Sequence, residues 1–235
     1  MKNVVKINGY RIMSTINKEE IEAIGDAHAS SATETPLRAD AFDKSDDEKI
    51  KNIQHHFAEI MKELGLDLTD DSLSGTPYRF AKMYVKELFY GLNPANRPRT
   101  STFENKYGYQ KMLVEQNINI DSSCEHHFLP IVGNAHVGYI PKDKVIGLSK
   151  INRLVDYYSH RPQVQERLCL QILKDLQKTL GTDDVIVVVN AKHLCVSSRG
   201  IKDKNSFTTT IEFGGKFADP IYRNEFLGII AKGDN

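Results

Sequence analysis

A chain of 235 residues with 40% hydrophobic, 26% charged and 9% aromatic side chains lies in the globular range, which excludes collagen-like, mucin-like and wholly disordered classes. Thirty-one Lys and Arg balance 31 Asp and Glu, so no net field draws the protein to nucleic acid or an anionic membrane, and any polyanion must be met by a local cluster. Three cysteines are too few, and odd in number, for a disulfide framework; they predict a reducing setting in which each thiol is a ligand, a nucleophile or a small core hydrophobe.

Near the amino terminus Lys2, Lys6 and Arg11 stand among short apolar pairs with no signal-peptide stretch after them, so the expected location is cytoplasmic. The longest apolar runs, 185–189 and 226–231, fall well short of the ~20 residues a membrane helix needs. Residues 1–44 are rich in Ser, Thr, Ala, Asp and Glu and are expected to form a mobile extension, because they bury too little apolar surface to offset the entropy of ordering. A helical region is expected over 45–110. Ser45-Asp46-Asp47-Glu48 is a capping-box pattern, followed by Ile50, Ile53, Phe57, Ile60, Met61 and Leu64 at helical spacing and Gly65 as a stop. A second helix is predicted from Thr76, with Pro77 in its first turn, to Gly91.

From 111 to 235 the pattern shifts toward period two. Strands are predicted over 112–120 and 134–140, helices over 149–159 and 163–180, and strands again over 185–190, 193–197 and 206–213. Strands, then helices, then strands with short connections read as α+β with a largely antiparallel sheet.

The densest chemical cluster is Ser122-Ser123-Cys124-Glu125-His126-His127; His193-Leu194-Cys195 follows some seventy residues later. Thiolate and imidazole are ligands that zinc favours, and three protein ligands with one open position make a catalytic site. Cys124, His127 and Cys195 supply such a Cys2His set, with His126 and His193 as neighbouring imidazoles. Spacing alone leaves the blander reading open, in which the cysteines are core hydrophobes and the histidines polar surface; His55-His56, without a nearby Cys, fits that description. Cys169, between Leu168 and Leu170, reads as packing. Ser149 suits a helix N-cap, and Lys150 and Arg153 share a helix face that can meet phosphate oxygens or can simply be solvated. Glu166 opens the following helix, where a carboxylate favours the dipole and could also pair with a guanine edge. Arg199 before Gly200 is a third phosphate candidate.

Four strings carry a resemblance: GTPYRFAKMYVKELFYGL, SSCEHHFLPIVGNAHVGYIPKDKVIGLSKINR, RPQVQERL and HLCVSSRGIKDKNSFTTT. In order and separation they resemble the signature segments of the GTP cyclohydrolase I family, from about residue 45 to the carboxyl end. The resemblance implies a zinc enzyme of the tunnelling fold, assembled as a homo-oligomer, commonly a decamer, with active sites between subunits and no nucleic acid or membrane partner. It implies conversion of GTP and water to 7,8-dihydroneopterin triphosphate and formate, the first step toward pterins and tetrahydrofolate, by hydration at purine C8, deformylation, Amadori rearrangement and ring closure. It places the Zn2+ ligands on Cys124, His127 and Cys195. His126 would serve N7, His193 the ribose ring oxygen, Ser149 the ribose hydroxyls and Gln165 the metal water. Glu166 would hold guanine, and Lys150, Arg153 and Arg199 the triphosphate. Two other classes compete: a nucleotide- or pterin-binding ring protein with structural zinc, and a Cys-His hydrolase with Cys124 as nucleophile.

Overall fold

The molecule, seen in a computed structural model, is described over residues 4–7, 10–13 and 32–233. Much of the extension expected to be mobile lies outside the described residues. Within it, β1 (Val4–Ile7) and β2 (Tyr10–Met13) pair as an antiparallel hairpin, in a unit, Met1–Ser31, distinct from Ala32–Asn235.

Helix α1 (Asp46–Glu63) starts where the capping box predicts. The Ser45 side chain accepts from the Glu48 amide, and the Glu48 carboxylate accepts from the Ser45 amide at 2.8 Å, so two amides that the first turn leaves unpaired are satisfied. Gly65, at φ +79°, turns the chain away. After a single turn, α2 (Asp71–Ser74), helix α3 (Thr76–Met83) runs into a wider π turn over Tyr84–Leu88, so the second predicted helix is a composite. Its apolar spacing stacks Phe80 on Phe57 of α1 with ring centroids 3.5 Å apart and carries the stack on to Tyr84 at 4.1 Å.

The central sheet has the order β7 (Pro162–Gln163), β4 (Leu113–Cys124), β5 (Pro130–Tyr139), β8 (Val185–His193) and β9 (Thr208–Phe213). All neighbours are antiparallel except β7 with β4. A separate antiparallel pair joins β3 (Thr102–Glu104) to β6 (Lys144–Ile146). The mixed helix and sheet architecture agrees with the α+β expectation.

Helices α4 (Leu148–Ser159) and α5 (Gln165–Leu180) help form the larger core, where Leu154, Leu168, Ile172 and Leu176 meet Ala135, Val137, Val185, Val187 and Val189. Full burial of each such Leu or Ile is worth about 1.5–3 kcal/mol relative to exposure. Ile186 and Val188 face the other way, against Phe217 and Phe226. The unbroken apolar run of β8 is therefore a strand buried on both faces, and its second cover is α7 (Pro220–Gly233), a helix the sequence reading does not anticipate.

Two expectations need correction. The segment 193–197 is not a strand: β8 ends at His193, opposite Ile131, and Leu194–Ser197 form a helical turn, α6. The next residue across the ladder is Pro130, which has no N–H to offer, so pairing stops there. Ser149 is not the N-cap of α4; Gly147 is, and Ser149 lies in the first turn. No helix among the described residues is long and apolar enough to cross a membrane.

Candidate metal centre

The Cys-x-x-His element is the connection between β4 and β5. Cys124 ends β4, its amide donates to the Leu129 carbonyl at 2.8 Å, and the Phe128 amide returns to the Cys124 carbonyl at 2.8 Å. This closed turn brings His127 back over Cys124; the bend is completed by Phe128 in a left-handed backbone conformation, φ 54°. Helix α6 delivers Cys195 from the end of the neighbouring β8. Residues 124 and 195 are thus brought together by strands β4, β5 and β8, consecutive in the sheet.

One donor atom from each of Cys124, His127 and Cys195 lies within 4.8 Å of the others. Tetrahedral zinc, with bonds of about 2.3 Å to sulfur and about 2.0 Å to nitrogen, draws such atoms to about 4 Å or less. Cys124 Sγ stands 3.9 Å from His127 Nδ1. Burial, then the Cys124 sulfur, pushes the Cys195 thiol up to about 11. A thiol held protonated beside a second sulfur suits a cation, which stabilises sulfur ligands as thiolates. Burial, with Arg199 and His126 nearby, lowers the His127 pKa and favours the neutral imidazole that ligates metals. The donor set therefore fits a metal ion.

His126 does not belong to this mutually close group, although its Nδ1 lies 3.6 Å from Cys124 Sγ. Arg199 Nη1 donates to His127 Nε2 at 2.7 Å, so this phosphate candidate adjoins the cluster. Gln165 is buried, and its Nε2 donates to the carbonyls of Val189 at 3.0 Å and Thr208 at 2.8 Å. Its Oε1 then faces His193 Nε2 at 2.8 Å and must accept that nitrogen's proton. Gln165 is a holder of His193 in this geometry. Burial lowers the His193 pKa, opposed only in part by the Glu166 charge, so the ring is neutral near pH 7 with its lone pair on Nδ1.

Ser149, Lys150 and Arg153 lie on the first turns of α4 and form no side-chain hydrogen bond or ion pair among the described residues. Glu166 is exposed in the first turn of α5. Cys169 is fully buried, donates to the Val187 carbonyl, and has its thiol pushed up to about 12 by burial; it is a packing residue. His55 and His56 are exposed on α1. Sequence reasoning missed Glu125 and Arg167, which form a buried ion pair directly behind the turn. Both stand inside the quoted strings, and no local pattern distinguishes them from surface charge.

A Cys2His candidate metal centre at the end of a largely antiparallel sheet flanked by helices marks an α+β protein with a cluster that could hold a metal ion. The family model described as GTP cyclohydrolase I matches residues 53–231. Among similar curated proteins, GTP cyclohydrolase 1 of Flavobacterium johnsoniae is 60% identical over 91% of this chain and 96% of its own length. GTP cyclohydrolase 1 of Erwinia tasmaniensis is 50% identical over 92% and 97%, and that of Aeromonas salmonicida 48% over 92% and 98%. The chain belongs to the GTP cyclohydrolase I family and is an enzyme of that family.

Proposed function

We propose that this protein is a zinc-dependent hydrolase that converts GTP and water to 7,8-dihydroneopterin triphosphate and formate. The observation that carries the reading is the convergence of Cys124, His127 and Cys195 donor atoms within 4.8 Å in a chain of this family. These three residues would hold the ion. Zinc, when bound, supplies a Lewis acid that lowers the pKa of a coordinated water toward neutrality.

The remaining groups divide the proton and charge work. His126, beside the ligands, donates to purine N7 as C8 is hydrated. His193, held by Gln165 through Nε2, exchanges a proton through Nδ1 at the ribose ring oxygen; one fixed tautomer keeps that atom aimed. Ser149 serves the ribose hydroxyls during the rearrangement. Glu166 pairs with the guanine N1–H and amino group, and Lys150, Arg153 and Arg199 neutralise the triphosphate. Lys150 and Arg153 have no carboxylate partner among the described residues, which leaves them available for that role. We further infer that the fold is the tunnelling fold, with 111–235 as its catalytic part and 45–110 as a helical region before it, and that subunits assemble into a ring, commonly a decamer, whose sites lie between them.

Purified protein given GTP should release formate and develop pterin absorbance, and a chelator should abolish both. Formate release indifferent to the chelator would sink the metal-dependent reading. Zinc and GTP binding without formate would favour a binding protein with structural zinc.

A further inference from the structure

The residue between ligand Cys124 and His126 is Glu125, and it does not face solvent. Its carboxylate receives Arg167 Nη1 at 2.5 Å and Nη2 at 3.4 Å, with side-chain exposures of 3% for Arg167 and 16% for Glu125. The Glu125 amide donates to the Gln163 carbonyl at 3.0 Å. Residue 125 is therefore held through main chain and side chain alike, from β7 and from α5. The Nε of Arg167 donates to the Ala32 carbonyl at 3.0 Å, and one turn further along α5 Gln171 donates to the Thr33 carbonyl at 3.2 Å.

A buried ion pair is a poor device for stability alone, since desolvation of both charges offsets most of their attraction. A planar guanidinium gripping a carboxylate by two N–H groups is a good device for orientation. Residue 125 sits one position after one ligand and two before another, so a rotation of its backbone moves Cys124 Sγ and His127 together. We propose that Arg167 is a positioning residue for the Cys124–His127 turn, acting through Glu125, and that the Ala32 carbonyl steadies the same guanidinium, which couples the segment at Ala32 to the metal site. The inference rests on the reading of that cluster as a zinc centre. Groups that orient metal ligands commonly change affinity by about 10- to 100-fold when removed.

The test compares the full-length wild type with the double variant Arg167→Met/Glu125→Leu, which replaces both charges of the pair with apolar side chains of similar length. Three quantities are read: zinc affinity by competition with a chromophoric chelator, the absorption bands of the cobalt-substituted protein, and the melting temperature of the zinc-free form. The expected result is a zinc-free melting temperature close to wild type, zinc affinity lower by about 10- to 100-fold and shifted cobalt bands. Wild-type zinc affinity and cobalt spectrum in the double variant would overturn the inference. If the double variant does not fold, Arg167→Lys, which keeps the charge and loses the fork, makes the same comparison: weaker zinc binding supports the role and unchanged binding refutes it. Failure of the wild type to bind zinc would instead overturn the zinc-centre reading itself.

Discussion

At the scale of single residues, adjacent histidines acquire different work from which way the turn presents them. His127 shares a cluster with both sulfurs, whereas His126 lies outside that cluster, its Nδ1 3.6 Å from Cys124 Sγ. In the proposed reaction His126→Ala keeps zinc and GTP binding while formate release falls by about 100-fold or more, the range of a lost general acid. Zinc content by elemental analysis and single-turnover formate release check it; loss of zinc would reverse the assignment of the two rings. The ligand residue types and the Cys-x-x-His spacing were legible in the sequence. The pairing of Gln165 with His193 was not, because residues 28 apart in the chain meet only once α5 has packed on the sheet. Nor was the Glu125–Arg167 pair, since an exposed charge and a buried paired one look alike as letters.

At the scale of elements, caps and periodicity carried far. The Ser45 capping box, the Gly181 stop at φ +67° and the apolar spacing of α5 all match the chain as folded. Strand ends did worse: β8 stops at His193 because its partner strand runs into Pro130, which no reading of 193–197 by itself can reveal. Helix α7 was missed because its apolar residues cover the sheet face already carried by Ile186 and Val188. A Cβ added to Gly138 would come within 2.6 Å of the Phe226 ring, so α7 packs on β5 without a side chain between. Phe226→Ala is expected to destabilise the protein by about 3–5 kcal/mol, read in denaturant unfolding of the zinc-free form, with zinc stoichiometry in the folded protein unchanged. A change in stoichiometry would mean that this face also shapes the metal site.

At the scale of the molecule, buried polar networks tie distant stretches together. Burial alone would raise the Asp175 pKa, but hydrogen bonds from Arg97 at 2.8 Å and Tyr158 at 2.7 Å bring it below the ordinary carboxyl value. A folded-state value below the unfolded one of about 3.9 makes this contribution complete above that pH and lost as pH falls through the folded value. Asp175→Asn should therefore be less stable than wild type at neutral pH, with the gap narrowing on acidification below about pH 4. Chemical denaturation at a series of pH values reads this directly; a pH-independent gap would assign the effect to packing.

From the sequence by itself came the α+β class, the main helices and strands, the sorting of Cys169 from the other cysteines, and a zero net charge that calls for local cations. These rest on interactions within a few residues or on composition. The Cys124, His127 and Cys195 set was also proposed from the sequence, and the fold brings those donor atoms together; tertiary structure alone decided that Gln165 grips His193 and that Arg167 stands behind the Cys124–His127 turn. Each depends on the order β4, β5, β8 and on α5 lying across it, and a contact between strands neighbouring in space leaves no periodic trace along the chain.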